Sequence, residues 1–208
     1  MKLLYALIFI LIVFEGVGFS QTRATTEDGR TVILQKDGTW QLANVSKVPP
    51  AATKGTYQKP EKATQGFRPK DDPVVAWFDP QIWKRQQSID EPPNKFGFID
   101  RSGDVMGIVI VEGFAMSIDS LQNTIIETAR NYASDFKVAL EENRVVNGKK
   151  VLCMRIEETV QGIPVVAYGY YYAGKSSIVQ LTTVSPQNRF SKYEVEMTEF
   201  LNGLVIND

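Results

Sequence analysis

The chain has 208 residues, of which 43% are hydrophobic and 11% aromatic, and its formal net charge is −1. These values are typical of a globular protein, and the near-neutral charge gives no electrostatic basis for binding nucleic acid. Histidine is absent, which excludes the usual general base near neutral pH, the commonest metal ligand and the central member of a Ser/His/Asp relay. The single cysteine, Cys153, allows neither an intramolecular disulfide nor a thiolate metal cluster within one chain.

Residues 1–20 have the pattern of a secretory signal peptide. Lys2 precedes an apolar run that ends at Phe14, and small residues then precede Gln21. The apolar run is shorter than the ~20 residues that cross a bilayer, so we expect no integral membrane span in the mature chain. The sequence therefore predicts an exported protein, periplasmic or extracellular after cleavage near Ser20/Gln21.

Residues 21–45 predict a β-hairpin element. Asp-Gly pairs at 28/29 and 37/38 mark tight turns beside residues with high β-propensity. We expect strands near residues 30–35 and 39–43. Since an isolated hairpin is marginally stable in water, Trp40 is the candidate side chain for docking on the main domain or on a partner.

Residues 46–72 have the composition of an extended linker. Large apolar residues are few, lysine is frequent, and prolines stand at positions 49, 50, 60 and 69. We expect a solvated spacer between the hairpin and the domain that follows.

Residues 73–208 predict one α+β domain. Val74–Phe78 is a predicted strand, and the stretch around Trp83 is predicted to be irregular or helical. Residues 96–100 and 105–112 flank a turn and predict a second hairpin.

Two amphipathic helices are predicted in this domain. Asp119 is expected to cap the first, with Gln122 completing a capping box, because apolar residues then recur at helical spacing as far as Phe136. The second follows Ser185-Pro186 and has a similar stripe. Val205-Ile206 is expected to return to the sheet after it.

Two consecutive hairpins lie between the helices. A two-residue turn at Asn147-Gly148 sets Lys137 opposite Glu158, and a turn at Gly174-Lys175 sets Ala173 opposite Ser176. Because both faces of these strands carry apolar side chains, we expect a helix on each face of the sheet. This pairing places Tyr168 and Tyr170 in the core, and Tyr171 on the opposite face, where a groove under a helix is as plausible as solvent.

Residues 169–176, GYYYAGKS, match the phosphate-loop pattern GxxxxGK[ST]. That loop needs a glycine-permissive backbone between a strand and a helix, whereas here strand-forming residues stand on both sides of Gly174-Lys175. We therefore predict no nucleotide binding.

Acidic pairs occur at Glu141/Glu142 and Glu157/Glu158. Neighbours along a strand point to opposite faces, so neither pair forms a carboxylate dyad, and we interpret all four as solvated positions. Cys153, in mid-strand, is interpreted as a small buried hydrophobe rather than a nucleophile.

The order of elements resembles the PsbP-like family, which includes the extrinsic photosystem protein and exported bacterial proteins of the DcrB type. The resemblance is carried by VNGKKVLCMRIEE (146–158), VVAYGYYYAGKSSIVQLTTVSP (165–186) and FSKYEVEMTEFLNGLVI (190–206). It implies an αβα sandwich round an antiparallel β-sheet and a non-catalytic accessory or binding role. The hairpin DGRTVILQKDGTW is similar to an N-terminal element of other exported bacterial proteins.

Two functions remain open at this point. The first is an exported non-catalytic envelope accessory or binding protein that uses the hairpin, linker and one sheet edge to bind a surface or a partner of unknown identity, an envelope protein being the candidate. The alternative is a carrier of a small apolar ligand held between sheet and helix. We expect no enzymatic activity, catalytic residue, metal or cofactor, and the candidate interaction residues are Trp40, Trp77, Trp83 and Tyr171.

Overall fold

The computed structural model describes the backbone of residues 22–25, 31–34, 40–42 and 53, and residues 54–69, 72–86 and 93–207 with their side chains. The predicted signal peptide lies outside the described residues. Within the described ranges, no helix has both the length and the apolar character needed to span a membrane.

The N-terminal strands form a three-stranded antiparallel sheet. It consists of β1 (Thr22–Thr25), β2 (Thr31–Leu34) and β3 (Trp40–Leu42), with β2 in the centre. The pairing of β2 with β3 is the predicted hairpin, whereas β1 was not predicted. Its sequence, TRAT, lacks the apolar alternation that marks a strand.

From residue 53 onward, the described strands and two α-helices form one α+β domain. In chain order the elements are β4 (Thr53–Tyr57), β5 (Gln65–Phe67), β6 (Val74–Phe78), β7 (Trp83–Gln86), β8 (Lys95–Asp100), β9 (Met106–Glu112), α1 (Ile118–Tyr132), β10 (Lys137–Val146), β11 (Lys149–Val160), β12 (Ile163–Ala173), β13 (Ile178–Pro186), a 3-10 helix (Gln187–Arg189), α2 (Phe190–Asn202) and β14 (Leu204–Ile206).

The strands of this domain form two sheets. The large sheet has the order β4-β10-β11-β12-β13-β9-β8-β7, and the small one the order β14-β6-β5. Neighbouring strands are antiparallel except β4 and β10, which are parallel. The C-terminal tail forms a strand as predicted, but β14 pairs with β6 in the small sheet and does not return to the sheet of the two hairpins.

The prediction of a linker over residues 46–72 is wrong where β4 and β5 lie. β4 forms an edge of the large sheet, where Thr56 pairs with Val145, and β5 pairs with β6. The backbone groups of these two short strands therefore complete sheets of the domain. The stretch around Trp83 is likewise corrected, since it is the edge strand β7.

The hairpin of β10 and β11 follows the predicted pairing from Leu140 to Val146. Asn147 and Gly148 have φ values of 48° and 83°, and positive φ at both positions is what a type I′ turn requires. An irregularity between Val138 and Leu140 then shifts the register, so that Lys137 lies opposite Glu157.

The hairpin of β12 and β13 has a longer turn than predicted. Gly174 N donates a hydrogen bond to Ser177 O at 2.8 Å, and Ala173 pairs with Ile178. The pairing is therefore two residues away from the predicted one. A shift of two keeps every side chain on its face, which explains why Tyr170 and Tyr171 lie on opposite faces as predicted.

Helix α1 begins after Ser117, not at the predicted cap Asp119. Ser117 has extended backbone angles, and its Oγ accepts a hydrogen bond from Ser120 N at 3.1 Å. Asp119 instead lies in the first turn, where its negative charge interacts favourably with the helix dipole.

The large sheet is covered on both faces, as predicted. Helix α2 and the small sheet pack on one face, where Met197 and Leu201 meet Tyr170 and Leu181. Helix α1 packs on the other face through residues that include Leu121 and Ala129, against Leu152, Met154 and Ile178. Each large aliphatic side chain removed from water in these two cores contributes about 1.5–3 kcal/mol.

Candidate functional site

A pocket of about 90 Å³ lies between α1 and the large sheet. Helix α1 supplies Leu121, Ile125 and Ala129, which follow one another at four-residue spacing and so share one face. Tyr132, at the end of α1, is 43% exposed and marks a place where the pocket reaches the surface. The sheet supplies the apolar residues Ile110, Ile156, Ala167 and Val184.

The polar part of the wall comes from both sides of the pocket. Its residues are Thr124, Thr128, Glu158, Tyr171, Gln180 and Thr182. Tyr171 and Thr182 are hydrogen-bonded through their side chains, and burial raises the pKa of Tyr171 to about 12. The pocket is therefore mainly apolar with a few polar groups, which is the usual form of a small-molecule site.

Glu158 is the charged residue of this wall. It is 7% exposed, and within the described part of the chain its Oε2 has no hydrogen-bond partner. Burial, followed by the charge of nearby Asp135, raises the pKa of Glu158 to about 7. The carboxyl group therefore exchanges its proton near neutral pH, although the ordinary pKa of a glutamate is near 4.5.

Replacing Glu158 by glutamine is expected to stabilise the protein at high pH. The folded pKa lies above the unfolded one, so ionisation of Glu158 lowers the free energy of unfolding progressively as pH rises from 4.5 through 7. Glutamine has no charge to bury. We compare the free energies of unfolding of Glu158→Gln and wild type, measured with urea at pH 4.5 and at pH 8.5. The difference between them should shift in favour of the variant by about 1–3 kcal/mol from the lower to the higher pH.

The matched control is Glu157→Gln, the same change one residue away. Glu157 points to the opposite face of β11, where its side chain is 24% exposed and 3.8 Å from Arg155. We expect its difference from wild type to be nearly equal at the two pH values. If the stability difference between Glu158→Gln and wild type were also the same at both pH values, that result would contradict the burial of an ionisable carboxyl in the pocket.

A second buried polar cluster lies on the opposite face of the sheet, around Arg144. Its Nε donates to Glu142 Oε1 at 2.7 Å, and its Nη1 donates to the hydroxyls of Tyr168 at 2.7 Å and Tyr170 at 3.0 Å. The guanidinium also lies 4.8 Å from the centre of the Tyr57 ring. Because charge and donors are paired within the protein, we interpret this cluster as a structural tie between β4, β10 and β12.

Cys153 lies beside this cluster and is fully buried. Burial raises the pKa of its thiol to about 11, so the reactive thiolate is not formed at neutral pH. The environment is that of a core residue, as the sequence indicated.

The structure brings one of the four candidate interaction residues, Tyr171, into the pocket. Trp83 is 2% exposed and its ring centre lies 4.3 Å from that of Phe200, so it belongs to the core and is not available to a partner. Trp77 is half-buried, with Lys59 Nζ 5.2 Å from its ring centre. The backbone of Trp40 lies in β3, and its side chain is outside the described residues.

Glu158 is the main candidate site residue that was not predicted from the sequence. Both Glu142 and Glu158 were interpreted as solvated, and both are buried, so that interpretation is wrong for one member of each pair. A signal was present in the alternation of β11, where Met154, Ile156 and Glu158 share a face. Two buried apolar neighbours share that face with Glu158, but whether α1 also covers Glu158 depends on where the helix crosses the sheet.

No family model and no curated protein matches the sequence. Among solved structures, the chain is similar to the cyanobacterial PsbP of Synechocystis, with 11% identity and a TM-score of 0.52 over 68% of this chain and 91% of that chain. It is also similar to the Ran-binding protein Mog1p of Saccharomyces cerevisiae, with 10% identity and a TM-score of 0.51 over 69% of this chain and 95% of that chain. Likeness at this level of identity concerns the fold alone, and the chain has a PsbP/Mog1-like α+β fold.

Proposed function

We propose that the protein is an exported, non-catalytic binding protein of the cell envelope that holds a small, largely apolar molecule between α1 and the large sheet. The observation that carries this proposal is the pocket itself, whose mainly apolar wall includes one buried carboxyl with an oxygen that has no hydrogen-bond partner among the described residues. Export is supported by the signal-peptide pattern of residues 1–20 and by the resemblance to exported DcrB-type proteins.

A binding role agrees better than catalysis with the chemistry of the wall. Glycosidase-type acid–base chemistry uses two carboxyl groups, whereas Glu158 is the one carboxyl among the described residues that line the pocket. The chain has no histidine to act as a base, and the Cys153 thiol is buried on the other face of the sheet.

The volume limits what the pocket holds. A cavity of about 90 Å³ is smaller than the ~150 Å³ cavity that accommodates benzene, so the enclosed part of a ligand has roughly four non-hydrogen atoms. A longer ligand extends past Tyr132 into solvent.

A second role, as accessory subunit of an envelope protein, is favoured by the separate sheet β1–β3. This sheet includes Trp40, and its strand β2 is paired on both sides. The fold is shared with Mog1p, a Ran-binding protein, which supports the use of this architecture in protein recognition.

Native mass spectrometry of protein isolated from its own envelope tests the proposal. We expect a species heavier than the bare chain by the mass of one small molecule, and denaturation should release that molecule. Only the bare mass would contradict the pocket role. A retained protein partner that is lost when residues 21–45 are deleted would instead establish the accessory role.

A further inference from the structure

We propose that the molecule held in this pocket carries a protonated amine, and that Glu158 binds the amine through its unpaired carboxylate oxygen. This inference rests on the proposed function, because it names the chemistry of the ligand for the same pocket. A short aliphatic amine, with its alkyl chain along the apolar wall, represents the class.

The first step is the unsatisfied carboxyl group. Glu158 is buried, and among the described residues its Oε2 has no hydrogen-bond partner. No lysine or arginine is found among the described residues that line the pocket. A buried carboxylate without a cation is costly, and an ammonium group supplies the missing positive charge together with three donors.

The second step is the sign of the surrounding charge. Asp135, which follows α1, adds negative potential at Glu158, and its Oδ1 accepts a hydrogen bond from Thr159 N at 3.1 Å. Strands β9 and β11 add apolar groups to the wall, through Ile110 and Ile156. The remaining polar groups of the pocket wall are hydroxyls and one amide rather than charges: Thr124, Thr128 and Tyr132 from α1, Tyr171 from β12, and Gln180 and Thr182 from β13. This field attracts a cation and repels an anion.

The third step is the division of the pocket into a polar and an apolar part. Gln180 and Thr182 place further oxygen acceptors in the wall, suited to the remaining N–H groups of an ammonium. Ile125 and Ala167 provide apolar surface for a hydrocarbon chain. A neutral apolar molecule of the same shape leaves the Glu158 oxygen unpaired, and such an orphaned group is penalised on binding.

The test uses three probes of equal length on the full mature protein: n-butylamine, 1-butanol and butyrate. Binding is followed by titration of the backbone amide NMR signals of α1 and β11 at pH 8. We expect butylamine to bind at least tenfold more tightly than butanol, and butyrate not to bind. Glu158→Gln should weaken butylamine at least tenfold, whereas Glu157→Gln should bind it like wild type.

A pH series adds a readout that a purely structural role of Glu158 does not produce. With the pKa of Glu158 at about 7, butylamine affinity should fall roughly tenfold from pH 8 to pH 6, because the carboxylate takes up a proton while the amine stays charged. In Glu158→Gln the affinity should not change over this range. This variant is expected to be at least as stable as wild type at pH 8, so lost binding would not reflect unfolding.

Equal affinity for butylamine and butanol, or an unchanged amine affinity in Glu158→Gln, would overturn the amine inference and leave the proposed ligand-binding function standing. Absence of any response to butylamine at millimolar concentration would also overturn it. In that case the native mass measurement decides separately whether the pocket holds another molecule.

Discussion

Substituting methionine for Arg144 is expected to lower the free energy of unfolding by about 3–5 kcal/mol. The substitution removes the 2.7 Å partner of the buried Glu142 carboxylate and a donor shared by the Tyr168 and Tyr170 hydroxyls. Methionine retains the apolar stem, so most of the loss arises from a buried carboxylate left without its hydrogen-bonded cation. Urea unfolding at pH 7, followed by circular dichroism, measures the change.

Lys54→Met provides the matched control for this prediction. Lys54 Nζ lies 3.9 Å from the same Glu142 carboxylate, but its side chain is 71% exposed. Exposed ion pairs contribute little, so we expect a loss below about 1 kcal/mol. If Arg144→Met costs no more than Lys54→Met, the Arg144 cluster does not tie the strands together.

The double variant Arg144→Met/Glu142→Leu separates charge burial from packing. Replacing both members of a buried ion pair by apolar residues is often close to neutral, so most of the stability lost in Arg144→Met should return. The hydroxyl of Tyr170 keeps one partner in this variant, since it donates to Asn202 Oδ1 at 2.9 Å. A double variant as unstable as Arg144→Met would place the loss in packing and in the hydrogen bonds to the Tyr168 and Tyr170 hydroxyls, not in the buried charge.

The parts of the fold that were predictable from the sequence are those set by local turn chemistry and by side-chain alternation. Asn147-Gly148 specified a turn whose geometry the structure confirms, and alternation assigned Tyr170 and Tyr171 to opposite faces. The face assignment did not depend on the length of the second turn, because the pairing moved by an even number of residues.

The strands that were not predicted are stabilised by pairing with strands that are distant in the sequence. β4 has the polar sequence TKGTY, and it is a strand because its backbone pairs with β10, with Thr56 opposite Val145. No local pattern contains that information. The helix cap was ambiguous for a different reason, since Ser117 and Asp119 are both good capping residues and the backbone path selects the first.

In the candidate site, too, the features set by side-chain alternation were predictable, and those set by tertiary packing were not. The sequence indicated a space between sheet and helix and placed Tyr171 beside it, because both depend on the alternation of β12. The burial of Glu158 depends on where α1 crosses the sheet, and this crossing is a tertiary property. Acidic side chains in strands are mostly exposed, so without the position of α1 the expectation for Glu157 and Glu158 is that both are solvated.

The remaining large effect concerns two leucines that are equally buried and lie on opposite faces of the sheet. Leu121 of α1 is 1% exposed and Leu201 of α2 is 0% exposed, so surface burial alone predicts equal costs for truncation to alanine. The cost of such a change grows with the cavity left behind and ranges over about 2.7–5 kcal/mol. Leu121 already borders the pocket, whereas Leu201 lies in the core formed around Met197 and Phe200.

We therefore expect Leu201→Ala to lower the free energy of unfolding by about 4–5 kcal/mol and Leu121→Ala by about 3 kcal/mol, both measured by urea unfolding. A side chain that borders an empty space has fewer contacts to lose than one surrounded on all sides. Leu121→Ala also enlarges a pocket that reaches the surface, so a small apolar solute such as benzene should raise the melting temperature of this variant, with a larger rise at higher benzene concentration. Equal costs for the two leucines, together with no response to benzene, would mean that the space under α1 is too small to receive a ligand. A larger cost for Leu201→Ala than for Leu121→Ala would instead show that side chains pack less tightly around Leu121, beside the pocket. The small side chains of Ala129 and Ala167, which also border the pocket, contribute to this space.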